Sequence, residues 1–191
     1  YMMSSSNKLD NNEISDCLAG ISLGGSWNSN LSNNFISNCS HGISLFDSSN
    51  NVLENNIISK NVEGIYLTGE SNGNTLIGNT VIINEKSGLH IYETSNNLSY
   101  NNCFNNTVNL ESEMASDTNL WNTTKTEGIN IVGGPYLGGN LWARPDGTIY
   151  PEKARDIDLD GILDSQYNIE GSQFIDYLPL TGVEPVVLTV N

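Results

Sequence analysis

The chain has 191 residues, enough for one domain with a small appendage, and carries a formal net charge of −15 with only seven Lys and Arg. That balance excludes nucleic acid as a partner, because phosphate binding needs clustered basic residues, and no apolar run reaches the roughly 18–20 residues of a membrane helix. Hydrophobic residues make up 37 % and charged residues 15 %; the difference is filled by uncharged polar residues, with 30 Asn and 22 Ser, so asparagine must have a structural use.

From the N-terminus, no secretory leader is legible and patterned sequence begins at once, so the chain reads as a mature or excised piece of a longer protein. Four segments align: NKLDNNEISDCLAGISL from Asn7, SNLSNNFISNCSHGISL from Ser29, NVLENNIISKNVEGIYL from Asn51 and TLIGNTVIINEKSGLHI from Thr75. Their glycines, Gly20, Gly42, Gly64 and Gly88, fall at steps of 22, 22 and 24, with both extra residues assigned to the loop TGESNGN. One apolar column reads Leu9, Leu31, Leu53, Ile77, and the next Ile14, Ile36, Ile58, Ile82, Phe104. After the glycine come Ile21, Ile43, Ile65, Leu89 and then Leu23, Leu45, Leu67, Ile91, separated by one residue, which is strand alternation.

A repeat this short cannot bury its own apolar face, whereas coils stacked about 4.8 Å apart share a continuous core. Leucine-rich repeats of similar length need a denser L-x-x-L-x-L pattern. The expectation is all-β: a right-handed parallel β-helix of five to six coils over residues 1–127, a C-terminal cap over 128–182, and a short tail, 183–191. Asn12, Asn34, Asn56 and Asn102 recur at one column, with Thr80 in the fourth coil, and predict a ladder of amides bonded from coil to coil. A fifth coil runs through NNLSYNNCFNNTVNL, with Leu110 at the glycine position, and Leu120 and Trp121 suggest a degenerate sixth that Trp121 closes.

Cys17 and Cys39 share a column in adjacent coils, near enough either for a disulfide or for two small buried thiols; Cys103 lies in another column. The outward aromatics Tyr66, Tyr92 and Tyr100, with Phe46, are candidates to stack on sugars, although they do not share a column. N-x-S/T sequons at Asn30, Asn38, Asn97, Asn105 and Asn122 permit N-glycosylation but are no more frequent than this composition gives by chance.

The segments WNTTKTEGINIVGGPYLGGNLW, DIDLDGILDSQYNI and DYLPL, in that order, closely resemble the C-terminal end of NosD-like β-helix proteins, within the broader group of carbohydrate-binding and sugar-hydrolase β-helices, especially those on archaeal cell surfaces. The resemblance implies an extracellular or cell-surface location. It also supplies the D-x-D-x-D-G-x-x-D order at Asp156, Asp158, Asp160 and Asp164, where alternate carboxylates and the turn at Gly161 suit Ca²⁺ held by oxygen ligands. The bidentate Glu of an EF-hand is replaced by Tyr167, so a non-EF loop is expected. Copper, which the family name suggests, is not supported by the residues: Met2, Met3, Met114, His41 and His90 are scattered, and His90 is expected to point outward alone.

No catalytic constellation is legible. The coils carry no arginine, and Asp47, Glu63, Glu70 and Glu85 read as solvated carboxylates rather than a pair set for catalysis. The reading is therefore a structural or adhesive module that binds cell-surface glycan or its own kind; the alternative is a carbohydrate-binding or glycan-cleaving module using the coil flank. The tail Gly182–Asn191 contains the β-prone run VVLTV, which either links to a further domain or donates a strand to the next subunit, the latter giving a head-to-tail homo-oligomer or filament.

Overall fold

The computed structural model describes residues 5–182. It is all-β, and its first five coils repeat one plan of two three-residue strands and a longer third. Coil one comprises β1 (Lys8–Asp10), β2 (Glu13–Ser15) and β3 (Ala19–Gly24); coil two, β4 (Asn30–Ser32), β5 (Phe35–Ser37) and β6 (His41–Phe46); coil three, β7 (Val52–Glu54), β8 (Ile57–Ser59) and β9 (Glu63–Thr68). Coil four comprises β10 (Thr75–Ile77), β11 (Thr80–Ile82) and β12 (Ser87–Tyr92), and coil five β13 (Leu98–Tyr100), β14 (Cys103–Asn105) and β15 (Leu110–Glu113). Each strand pairs in parallel with its counterpart in the neighbouring coils, giving three sheets that run the length of a β-solenoid. Among the described residues no helix is long and apolar enough to cross a membrane. The tail 183–191, with its linker or donated-strand reading, and Met2 and Met3 lie outside the described residues.

The core runs through the solenoid as stacks of like side chains: Leu31 on Leu53 in the first sheet, Ile36 on Ile58 in the second, and Ile43 on Ile65 in the third, all fully buried. Coil four corrects the expected register. Leu76, not Ile77, pairs with Leu53, and Val81, not Ile82, pairs with Ile58. The two extra residues are not in one loop: Ser48 matches Ser71 at a separation of 23, and Asn61 matches Asn84 at 23, whereas Glu63 pairs with Ser87. One insertion therefore lies before Ser71 and the other in the turn between Asn84 and Ser87. A one-residue slip turns every side chain of a strand to the opposite face, and placing both insertions together made that slip.

The asparagine ladder is present and is one of three. Asn12, Asn34, Asn56, Asn79, Asn102 and Asn140 form the first, each amide and backbone N–H donating to the next Oδ1 at 2.8–3.2 Å. Asn79, not Thr80, supplies the fourth coil; Thr80 stands in β11, paired with Ile57. A second ladder links Asn51, Asn74, Asn97 and Asn119, and a third Asn61, Asn84, Asn106 and Asn109. At the glycine column, a Cβ on Gly64 would collide with the Gly88 carbonyl and with Val81 of the next coil, so only glycine allows this close stacking. In coil five Leu110 is not the glycine equivalent: it pairs with Leu89 inside the core.

After a single parallel bridge between Leu98 and Leu120, Trp121 enters the core and the chain leaves the solenoid through the hairpin β16 (Thr126–Glu127) and β17 (Tyr136–Leu137). It returns as β18 (Leu141–Ala143), which extends the second sheet beside β14 and is backed by β19 (Ile149–Tyr150). Trp142 stacks on Phe104 at 4.9 Å, and Phe174, Tyr167 and Trp121 crowd around them as an aromatic end to the core. The hairpin β20 (Tyr167–Asn168) and β21 (Ile175–Asp176) brings Asp176 beneath Trp142.

Candidate functional site

The outer face of the third sheet gathers the only two histidines. Register places His41 beside Glu63, and Ser44, Tyr66, His90 and Glu111 in one row across four coils. Glu63 is 6 % exposed; one carboxylate oxygen lies 3.1 Å from His41 Nε2, and the other lies 3.1 Å from His90 Nδ1 and 2.6 Å from Lys86 Nζ. Lys86 stands in the inserted turn and also reaches Glu111 at 3.1 Å. Glu111 lies 3.6 Å from His90 Nδ1, and Glu113 lies 4.0 Å from His90 Nε2. Burial pushes the Glu63 carboxyl up, but hydrogen bonds from Lys86 and His90 and their charge outweigh it, leaving its pKa lowered. Its hydrogen bond to Glu63 holds the Lys86 ammonium up, to about 12.

This corrects three expectations: His90 points outward but is not alone, the histidines are not scattered, and Glu63 is not a solvated carboxylate. His41 and His90 belong to different rows, so a column-by-column reading separates them, yet both side chains reach the same Glu63. The Tyr66 ring lies between the His41 and His90 rings, at centroid distances of 5.5 and 4.7 Å, so neither of its faces is open for a sugar. Phe46 and Tyr92 stand on this same sheet, Phe46 half exposed, whereas Tyr100 belongs to β13 of the first sheet.

In the cap, Asp156, Asp158 and Asp160 bring carboxylate oxygens within 4.8 Å of one another; Asp164 is not part of this group and instead accepts the Ile157 N–H at 2.7 Å. Asp156 accepts the Asp160 and Gly161 N–H groups, and Asp160 accepts that of Ile162 and pairs with Lys125. Gly161 has φ +86°, which the turn requires. The loop leaves Ile157 77 % and Leu159 81 % exposed in order to turn its aspartates together. Hard oxygen donors alone line it, the donor set calcium takes.

Cys17 and Cys39 form a disulfide between adjacent coils, with Cα atoms 4.6 Å apart. Burial pushes the free Cys103 thiol up to about 11, which makes it a poor nucleophile or ligand. Of the sequon residues, Asn38 is exposed on a turn at φ +55°, Asn30 and Asn105 lie in strands β4 and β14, and Asn122 accepts the Tyr177 N–H. Asn97 is buried in the second ladder with its amide donating to Asn119, so the folded solenoid cannot carry a glycan there.

Residues 1–147 match the family model described as periplasmic copper-binding protein (NosD). No curated protein and no solved structure matches the chain. For the copper in that description, the described residues offer no sulfur donor set: Cys17 and Cys39 are bonded to each other, Cys103 is a half-buried thiol with a raised pKa, and Met114 is an exposed lone thioether. The imidazole and carboxylate groups around Glu63 are a donor set for a divalent ion rather than for copper(I).

Proposed function

The chain belongs to the NosD family of parallel β-helix proteins, and on that footing we propose that it is a non-catalytic, calcium-stabilised adhesive module at the cell surface, binding glycan through the outer face of its third sheet. A disulfide and a family that works outside the cytoplasm agree with that location. The observation that carries the reading is the third-sheet face itself. Phe46 and Tyr92 share one row, flanking Thr68, and provide apolar ring surface along one edge of a polar network of His41, Glu63, Lys86, His90 and Glu111, the combination that a sugar with one C–H face and many hydroxyls requires. Strands fixed by amide ladders present this face with little ordering cost on binding. A glycan array with the parent and with Phe46→Ala tests it: glycans retained by the parent and lost by the variant support the face, and an array with no retained glycan refutes it. A reducing-end release assay on the same glycans separates binding from cleavage. The cleavage reading is favoured by one feature, the buried ionised Glu63 beside His90, and stands only if release is detected.

Calcium belongs at Asp156, Asp158 and Asp160. Exposing two large aliphatic residues forgoes about 1.5–3 kcal/mol each, a cost that an ion gathered by the three carboxylates offsets. EDTA should lower the melting temperature and open residues 140–180 to protease, and added Ca²⁺ should restore both.

A further inference from the structure

We propose that Glu63, His90 and Glu111, with His41 on the far side of Glu63, form a site for a borderline divalent transition-metal ion of the zinc class, and that Lys86 holds the position when the ion is absent. One ligand atom from each of Glu63, His90 and Glu111 lies within 4.8 Å of the others. A single ion with bonds of about 2 Å spans such a set with small side-chain adjustments. His90 is more than nine-tenths buried, a poor place for an imidazole without a task, and its Nε2 has no hydrogen-bond partner. With Nδ1 on the ion, Nε2–H faces Glu113, now 4.0 Å away, which is the outer carboxylate that ligating imidazoles use to fix tautomer and ring orientation. Mixed imidazole and carboxylate donors favour a borderline dication over calcium, which the all-oxygen aspartate loop suits better.

Lys86 supplies the second, independent line. Its ammonium stands 2.6 Å from Glu63 and 3.1 Å from Glu111, between the same two carboxylates that would hold the ion. Its side chain is 48 % exposed and sits in the turn inserted before β12, so it can withdraw into solvent without breaking a strand pair. A dication replacing an ammonium also meets the charge of the facing Glu63, Glu111 and Glu113 better than one positive charge does. Bound there, the ion ties coils three, four and five together on the outside of the third sheet.

Calorimetric titration of the full chain with Zn²⁺, and with Co²⁺ read by its visible absorption, tests the proposal. The background should be Asp158→Asn, so that binding at the aspartate loop does not contribute. One ion should bind, with visible Co²⁺ bands of imidazole ligation. Glu111→Gln and His90→Gln should each weaken it at least tenfold, and Lys86→Ala should tighten it by removing the competing ammonium. Absence of binding, indifference to Glu111→Gln and His90→Gln, or weaker binding in Lys86→Ala overturns the proposal. Glu111 and Lys86 are partly exposed, so their variants fold even if the His90 variant does not.

Discussion

Replacing Asn56 with alanine removes one rung from the middle of the first ladder. Asn56 is fully buried; its amide donates to the Leu31 carbonyl at 2.8 Å and to Asn79 Oδ1 at 2.9 Å, and its Oδ1 accepts the Asn34 backbone N–H at 3.0 Å and the Asn34 amide at 2.9 Å. Alanine deletes all four bonds and leaves the Asn34 N–H, one Asn34 amide hydrogen and the Leu31 carbonyl without these partners inside the solenoid. Each orphaned buried group costs about 1–3 kcal/mol, so the loss should be roughly 3–6 kcal/mol after partial relaxation. Asn12→Ala is the internal control. Asn12 donates to Asn34 Oδ1 in the same geometry, but it is exposed and water replaces what is lost, so the expected cost is about 1 kcal/mol or less. Urea unfolding followed through the fluorescence of Trp121 and Trp142, both in the aromatic end of the core, measures both variants. Equal costs for the two variants, or an Asn56→Ala cost below about 1 kcal/mol, would refute the argument that buried amide ladders hold the coils together.

Burial raises the Asp176 carboxyl to about 6, against donors from Trp142, Asn140 and Leu178. Because its folded pKa is raised, the stability it contributes is complete below the ordinary carboxyl value of 3.8 and is lost as pH rises through about 6. Between pH 4 and pH 7 the parent should therefore lose roughly 2–3 kcal/mol relative to Asp176→Asn in urea unfolding, and a difference independent of pH would contradict the assignment. Gly64→Ala forces a Cβ onto the Gly88 carbonyl and should cost several kcal/mol, about 3 or more, whereas Gly133→Ala, with open space around its Cβ, should cost only its positive-φ strain; similar melting temperatures for the two would count against tight coil stacking. Reducing the Cys17–Cys39 bond opens a loop of 22 residues and should lower stability by about 3 kcal/mol, checked by unfolding with and without reductant.

The parallel coils were legible because leucine and isoleucine repeat with a period the eye can align, and Trp121 announced itself as the end of that pattern. The errors in coil four arose from insertions of one residue each, at Gly69–Glu70 and Glu85–Lys86, which a glycine-to-glycine count shows only as a sum of two, while the strands between them are shifted by one. Asn79 was hidden because Thr80 stood where the shifted register looked for it. Asn140 follows Asn102 by 38 residues, across a hairpin, so no period reaches it. The Glu63 cluster was missed for a related reason: a column reading sees neighbours along one row, and although His41 shares the row of Glu63, His90 reaches it from another row and Lys86 from a turn. The aspartates were legible from local spacing, but the Lys125 partner, 35 residues earlier, was not.

The ladders also give the molecule an electrical direction. In all three, one N–H of each linking amide points toward the next rung and the oxygen toward the previous one, while the second N–H is taken up by a carbonyl of the coil before, so the side-chain dipoles share one orientation instead of cancelling. The solenoid thus carries aligned rows of dipoles whose positive ends face the C-terminal side, a sheet protein's counterpart of a helix macrodipole. The first row ends where the Asn140 N–H meets the Asp176 carboxylate at 2.8 Å, so a negative group terminates the positive pole. Two ends of opposite polarity are not interchangeable: a segment or subunit stacking on the C-terminal side must bring acceptors, and one stacking on the N-terminal side must bring donors.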